Sequence, residues 1–296
     1  MPTAVVRKSV GGVEVVGYSL AGEETTIALP ELNICFDAGR APRDIIPIDT
    51  LCLSHGHMDH AAGVPYYLSQ RAFVGTSPGR VFMHRRLIKS FEALMACWAD
   101  IEGHPSPMEL YGLTDGERFP LRRNLFLHAF DVNHGASALG FSVVELRHKL
   151  KPEYTDRSGP QLVELKKQGV EIEHTIEVPL VAYCGDSADG AFFDLDHVRN
   201  ARLLIMECTF FDPDHVVRAR AGKHVHVRDL PGILPRLRSP NILLTHVTRR
   251  TDIRTVKRIF ESSVDKVDRD RITFLMDRPR NPNRPNRPDT HAEPKN

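Results

Sequence analysis

No two cysteines stand in a C-x-x-C pair, no apolar run approaches the length of a bilayer span, and the formal charge is only +1. Each absence removes a class of protein. The five cysteines, at 35, 52, 97, 184 and 208, lie apart and in odd number, which argues against a disulfide framework. They read as small core residues in a reducing compartment, with thiolate ligation left open only for Cys184 and Cys208. The first residues lack a signal-like apolar core, and nothing predicts a membrane segment, so a soluble, cytoplasmic protein is expected. Near-zero net charge means that any polyanion must be held by local basic patches. No internal repeat is visible.

The chain holds 296 residues, enough to bury a full core. Its opening half reads as short strands between glycine and proline turns, at Val13–Leu20, Thr25–Leu29, Leu32–Phe36 and Ile48–Leu53. Helices are predicted over Ala62–Arg71 and Arg86–Ala99, with a strand at Arg80–Met83 between them. Further strands are expected at Leu125–Phe130, Ala138–Leu146, Val178–Cys184, Leu203–Glu207, Ile242–Thr245 and Ile272–Met276. Helices are expected over Val227–Arg238 and Ile253–Val264. Meandering strands that later alternate with helices suit two sheets with outer helices, an α/β protein. Residues 1–277 are read as one domain and 278–296, rich in proline, arginine and asparagine, as a disordered tail.

The most informative stretch is Ser54-His55-Gly56-His57-Met58-Asp59-His60. Three imidazoles and a carboxylate follow an apolar run directly, and neutral histidine and carboxylate are good ligands for zinc and similar ions. Structural histidines rarely occur at this density, so a metal-dependent hydrolase is indicated. Three later places offer donors just after predicted strands: His134, Asp186 and His246. Each alone reads more readily as a structural or solvent-facing residue. Together, four strand ends on one rim of a sheet sandwich would form one site.

His55-Gly56-His57-Met58-Asp59-His60 matches the H-x-H-x-D-H signature of the metallo-beta-lactamase superfamily. Within it the chain resembles ribonuclease Z, the tRNA 3′-processing endonuclease, in its short, plant-type form. The likeness runs from about Gly17 to Met276. It takes in Cys35 to Pro42, Gly63 to Tyr67, Tyr183-Cys184-Gly185-Asp186-Ser187 and Met206-Glu207-Cys208-Thr209-Phe210. The resemblance implies an αββα sandwich, two mixed sheets packed face to face with outer helices. It implies two Zn2+ per chain, with Mn2+ or another divalent ion as alternatives. His55, His57 and His134 would hold one ion, Asp59, His60 and His246 the other, and Asp186 would bridge.

The same resemblance implies cleavage of precursor tRNA on the 3′ side of the discriminator nucleotide, leaving a 3′-hydroxyl, by a homodimer. Asp59 would help orient the attacking water. A histidine supported by Glu207 would protonate the leaving oxygen; His224 is the better match, with His226 its competitor. Two departures stand out. Val247-Thr248-Arg249-Arg250-Thr251 lacks the aromatic neighbour usual there, although Arg250 keeps the phosphate-binding arginine. The interval between His134 and Asp186 is short and carries a basic insertion at about 147–175, where Lys149, Lys151, Lys166 and Lys167 are candidate RNA contacts. Other readings are a hydrolase of the same fold acting on a small phosphodiester, arylsulfate or lactone, and a noncatalytic RNA-binding relative.

Overall fold

Each half of the chain builds one seven-stranded sheet, and in each the order of strands follows the order in sequence. A computed structural model describes residues 5–277. The first sheet contains β1 (Val6–Val10), β2 (Val13–Leu20), β3 (Glu24–Leu29), β4 (Ile34–Phe36), β5 (Thr50–Cys52), β6 (Gly79–His84) and β7 (Met108–Leu113). The second contains β8 (Arg118–Arg122), β9 (Leu125–Asp131), β10 (Leu139–Leu150), β11 (Glu173–Tyr183), β12 (Leu203–Glu207), β13 (Ile242–Thr245) and β14 (Ile272–Phe274). Both begin as antiparallel meanders, and both turn parallel, from β4 and from β11 onwards.

The connections explain the change of direction. Antiparallel neighbours can be joined by tight turns, whereas parallel strands need a crossover. Helices α1 (Met58–Ala61) and α2 (Val64–Phe73) cross from β5 to β6, and α3 (Ile88–Glu102) crosses from β6 to β7. In the second half, α4 (Gly159–Lys167) lies between β10 and β11, and α5 (Asp196–Arg199) crosses from β11 to β12. Helices α6 (Val216–Gly222) and α7 (Leu230–Ile233) then lead to β13, and α8 (Ile253–Ser263) and α9 (Lys266–Arg269) to β14.

Strand alternation divides the apolar residues into three layers. Ile27, Phe36 and Phe82 meet Phe141, Tyr183 and Ile205 between the sheets. The neighbours of Ile205, Leu204 and Met206, face outward onto Leu230 and Ile233 of α7 and Val256 and Phe260 of α8. On the first sheet, Leu51 and Val81 pack with Tyr67 and Leu68 of α2 and Phe91 and Met95 of α3. This is the expected αββα sandwich, and strands buried on both faces account for the unbroken apolar run Leu203–Met206.

Several elements differ from expectation. The predicted helix over 227–238 is a 3-10 turn (Val227–Asp229), the single turn α7 and a second 3-10 turn (Leu234–Arg236). Pro231 and Pro235 lack the amide hydrogens a continuous helix needs. The strands β1, β7 and β8 and the helices α4 and α6 carried no clear periodicity. β10 and β11 run on past the sheet core as an exposed hairpin, with α4 near its tip. The disordered tail predicted for 278–296 lies outside the described residues.

Candidate metal centre

The loops that follow β5, β9, β11 and β13 meet at one rim of the sandwich. After β5 the chain turns through His55 and His57 into α1, which carries Asp59 and His60. Beyond β9 comes His134, beyond β11 Asp186, and directly after β13 His246. Gly185 makes one of these turns possible. Its φ is +58°, and a Cβ there would lie 2.8 Å from the Cβ of Ser54. That close approach of two loops delivers Asp186 to the site. His246 also has a left-handed backbone, φ +58°, and its amide donates to Ser19 Oγ at 2.9 Å.

The donor atoms form two groups around Asp186. His55 Nε2 lies 2.9 Å from His57 Nδ1, and His134 Nε2 lies 3.4 Å from the same Nδ1. On the other side, Asp59 Oδ2 lies 3.7 Å from His60 Nε2 and 3.5 Å from His246 Nε2. Asp186 Oδ2 sits between, 3.9 Å from His55 Nε2 and 3.3 Å from both His60 Nε2 and His246 Nε2. Within His55, His57, His134 and Asp186, and within Asp59, His60 and His246, donor atoms lie inside 4.8 Å of one another.

The outer ring nitrogens show that these donors suit cations. Ser54 Oγ donates to Asp37 Oδ2 and therefore accepts from His55 Nδ1, 3.0 Å away. His60 Nδ1 donates to Asp37 Oδ2 at 2.8 Å, and His134 Nδ1 to the Lys223 carbonyl at 3.4 Å. Thr209 Oγ1 donates to Glu207 Oε2 and accepts from His246 Nδ1 at 3.0 Å. With a proton on each Nδ1, the Nε2 lone pairs of four histidines face the centre. His60 Nε2 is fully buried with no hydrogen-bond partner among the described residues. Lone pairs gathered this closely repel unless a cation lies between them, and a nitrogen and carboxylate donor set fits zinc or a similar divalent ion.

The electrostatics are those of a site that draws positive charge. At His60 burial works downward, but the charges of Asp186 and Asp37 outweigh it and hold the imidazole well above its ordinary value. Burial and the surrounding imidazoles push His55 down to about 2, which keeps it a neutral donor. Burial also lowers His134. For Asp186 burial works upward, but the charges of His246 and His60 outweigh it and hold the carboxyl well below its ordinary value. Asp59 is lowered in the same way, against burial, by its hydrogen bond to His246 and the charge of His60.

Beside this centre lies a second pair. Glu207, at the end of β12, is buried and accepts from the amides of Ser187 and Val225, from Thr209 Oγ1 and from His224 Nδ1 at 2.7 Å. The His224 ring stacks on His246 with centroids 5.4 Å apart. Burial opposes its protonation, but the charge and hydrogen bond of Glu207 prevail and raise its pKa to about 9. His226 is turned elsewhere. Its Nε2 meets the Asp212 carbonyl at 2.9 Å, and its Nδ1 accepts from the Arg228 amide at 3.1 Å. Thus His224, and not His226, reaches the centre.

A family model described as a beta-lactamase superfamily domain matches residues 31–247. The tRNase Z TRZ1 of Arabidopsis thaliana is 32% identical over 249 residues, which cover 83% of this chain and 89% of that one. This chain belongs to the tRNase Z family of the metallo-beta-lactamase superfamily. It is accordingly a metal-dependent hydrolase of the ribonuclease Z type. Among solved structures, the short form of human tRNase Z shares the fold with a TM-score of 0.53 and 17% identity, covering 81% of this chain and 87% of that one. The metallo-beta-lactamase fold protein YhfI of Bacillus subtilis superposes with a TM-score of 0.59 at 16% identity, covering 87% and 92%.

The candidate RNA contacts lie apart from the centre. Lys149 is exposed on β10 and Lys167 is exposed at the end of α4. Lys151 pairs with Glu171 at 3.2 Å and Lys166 with Glu173 at 2.9 Å. Residues 147–175 carry six lysines and arginines against five carboxylates, so the segment expected to be basic is nearly balanced. Arg250 is exposed in the loop after His246. Asp37 is a residue of the site that the sequence pattern does not reveal. Fully buried, it accepts from the Ser54 amide, Ser54 Oγ, Tyr183 OH and His60, so it orients His60 directly and His55 through Ser54. In sequence it is an aspartate just after an apolar strand, the same setting as Asp186. Cys184 and Cys208 are buried in the outer core, and burial raises both thiols, so neither joins the donor set.

Proposed function

We propose that this chain is a zinc-dependent endoribonuclease that cleaves precursor tRNA on the 3′ side of the discriminator nucleotide and leaves a 3′-hydroxyl. The observation that carries this reading is the Glu207–His224 pair set beside two donor groups joined by Asp186. The plant relatives named tRNase Z, matched over most of their length, support the choice of precursor tRNA as substrate.

His55, His57 and His134 would hold one ion and Asp59, His60 and His246 the other, with Asp186 lying between the two groups. Such ions acidify water towards neutral pH and offset negative charge on a phosphoryl group. Asp59, kept ionised, orients the attacking water. His224 gives its Nε2 proton to the departing 3′-oxygen, while Glu207 holds the ring through Nδ1 and stabilises its charged form. Because its Nδ1 is committed to Glu207, which favours the charged ring, His224 is assigned as a proton donor and not as an eighth ligand. The reading extends to a homodimeric, cytoplasmic enzyme, testable by sedimentation and cell fractionation.

The decisive experiment incubates the metal-loaded protein with precursor tRNA and maps the new ends. A single cut after the discriminator nucleotide, with a 3′-hydroxyl on the tRNA, is expected. Intact precursor alongside turnover of small phosphodiesters would instead favour a small-molecule hydrolase of the same fold.

A further inference from the structure

A cavity of about 480 Å³ opens beside His55, His57 and His134. We infer that it seats a nucleotide flanking the scissile bond, and that Lys223 is the residue that binds that nucleotide's phosphate. The inference rests on RNA being the substrate. The volume falls within the range of roughly 300–1,000 Å³ that small-molecule sites occupy. Gly56, Gly135, Ala136 and Gly222 make much of its wall, and nothing lies within 4 Å of where a Cβ at Gly135 would be. Space is therefore available next to the metal donors.

The charge of the wall selects the ligand. No carboxylate lines the cavity, and Lys223 is its one lysine or arginine. Its ammonium has no hydrogen-bond or carboxylate partner shown among the described residues, and the residue is exposed. Arg86 approaches the same wall, its Nη1 donating to the Ala136 carbonyl at 3.1 Å. An exposed lysine with no carboxylate partner on an acid-free wall favours an anion, and the adjacent metal donors make a phosphate chain the fitting one.

The backbone at Lys223 supplies a second, independent observation. The residue ends α6 in the left-handed conformation, φ 54° and ψ 52°. Glycine adopts that conformation freely, whereas a lysine gives up stability there. The backbone's own task, accepting from His134 Nδ1 through the carbonyl, needs no side chain. A strained residue whose side chain is unused by the fold, yet lines the cavity, points to a role in binding.

The test measures precursor tRNA binding across a salt series for the full chain and for Lys223→Gly, Lys223→Asn and Lys223→Arg. Glycine and asparagine both tolerate the left-handed backbone and leave the carbonyl in place. Both should raise Kd roughly ten-fold, the size of one charge-assisted hydrogen bond. Both should also reduce the slope of log K against log salt by roughly 0.7, the value for one single-strand phosphate contact. Lys223→Arg should keep the original slope, and that contrast between the arginine and the two neutral variants is what a purely structural role does not predict. Wild-type affinity and slope in the Gly and Asn variants would overturn the assignment. Failure of the unaltered protein to bind or cleave precursor tRNA would instead remove the RNA reading, and this inference with it.

Discussion

Glu207 Oε1 lies 2.7 Å from His224 Nδ1, seventeen residues along the chain, with the whole of α6 between them. The carboxylate accepts four hydrogen bonds, and through Thr209 it also reaches the outer nitrogen of His246. One buried carboxylate thus ties the His224 and His246 rings into a single network.

That geometry separates two neighbouring histidines by experiment. His224→Ala should slow cleavage of precursor tRNA by roughly 10²- to 10⁴-fold, the usual contribution of a general acid. A nitrophenyl phosphodiester, whose leaving group departs without a proton, should suffer far less. His226→Ala should instead lower stability by about 1 kcal/mol, because its ring caps the 3-10 turn at Val227–Asp229. Normal RNA cleavage by His224→Ala, read alongside a melting curve for both variants, would overturn the assignment.

Metal content should be two ions per chain, measured by elemental analysis after demetallation and reloading. Asp186 is the donor common to both groups, so Asp186→Ala should lower the stoichiometry or weaken both sites together. Saturation of the unaltered protein at a single ion would sink the paired centre.

The lysines of the β10–β11 hairpin should not act alike. Lys149 and Lys167 have no carboxylate partner among the described residues, whereas Lys151 and Lys166 pair with Glu171 and Glu173. Lys149→Ala with Lys167→Ala should weaken precursor tRNA binding and flatten its salt dependence, since fewer counterions are released. Lys151→Ala with Lys166→Ala should do less, because those charges are already partly offset. Equal slopes in both double variants and the original protein would rule the hairpin out as an RNA grip.

Stability should fall on mild acidification in part through His128. Burial, with the charges of Arg118 and His197, lowers its pKa from 6.5 to about 4. The unfolded chain therefore binds a proton that the native state refuses between those values. The contribution is fully present above about 6.5 and is lost as the pH falls towards 4. His128 Nε2 is buried without a partner among the described residues, so His128→Leu leaves no hydrogen bond broken there. Denaturant unfolding over this window should show a shallower pH dependence in His128→Leu; identical slopes would contradict the shift.

Much of the site was legible because its densest part is local. His55, His57, Asp59 and His60 fall on one loop and one helical turn, so their convergence follows from neighbouring positions in the chain. His134, Asp186 and His246 stood out because apolar runs bounded by turn residues mark strand ends, and strand ends share a rim. The two-sheet architecture was legible for the same reason, since burial on alternate or both faces imprints itself on residue order.

The rest needed the tertiary structure. His224 and His226 are two residues apart with similar surroundings in sequence, and only the turn after α6 sends one ring to Glu207 and the other to Asp212. Asp37 gains its meaning from Ser54, His60 and Tyr183, contacts spanning 17 to 146 residues that no local pattern encodes. The near balance of charge in 147–175 can be counted in the sequence, but which lysines are paired depends on how the hairpin sets Lys151 against Glu171 and Lys166 against Glu173. The matching topology of the two sheets likewise left no visible repeat, because a strand's place is set by which faces are buried and not by which apolar residue does the burying.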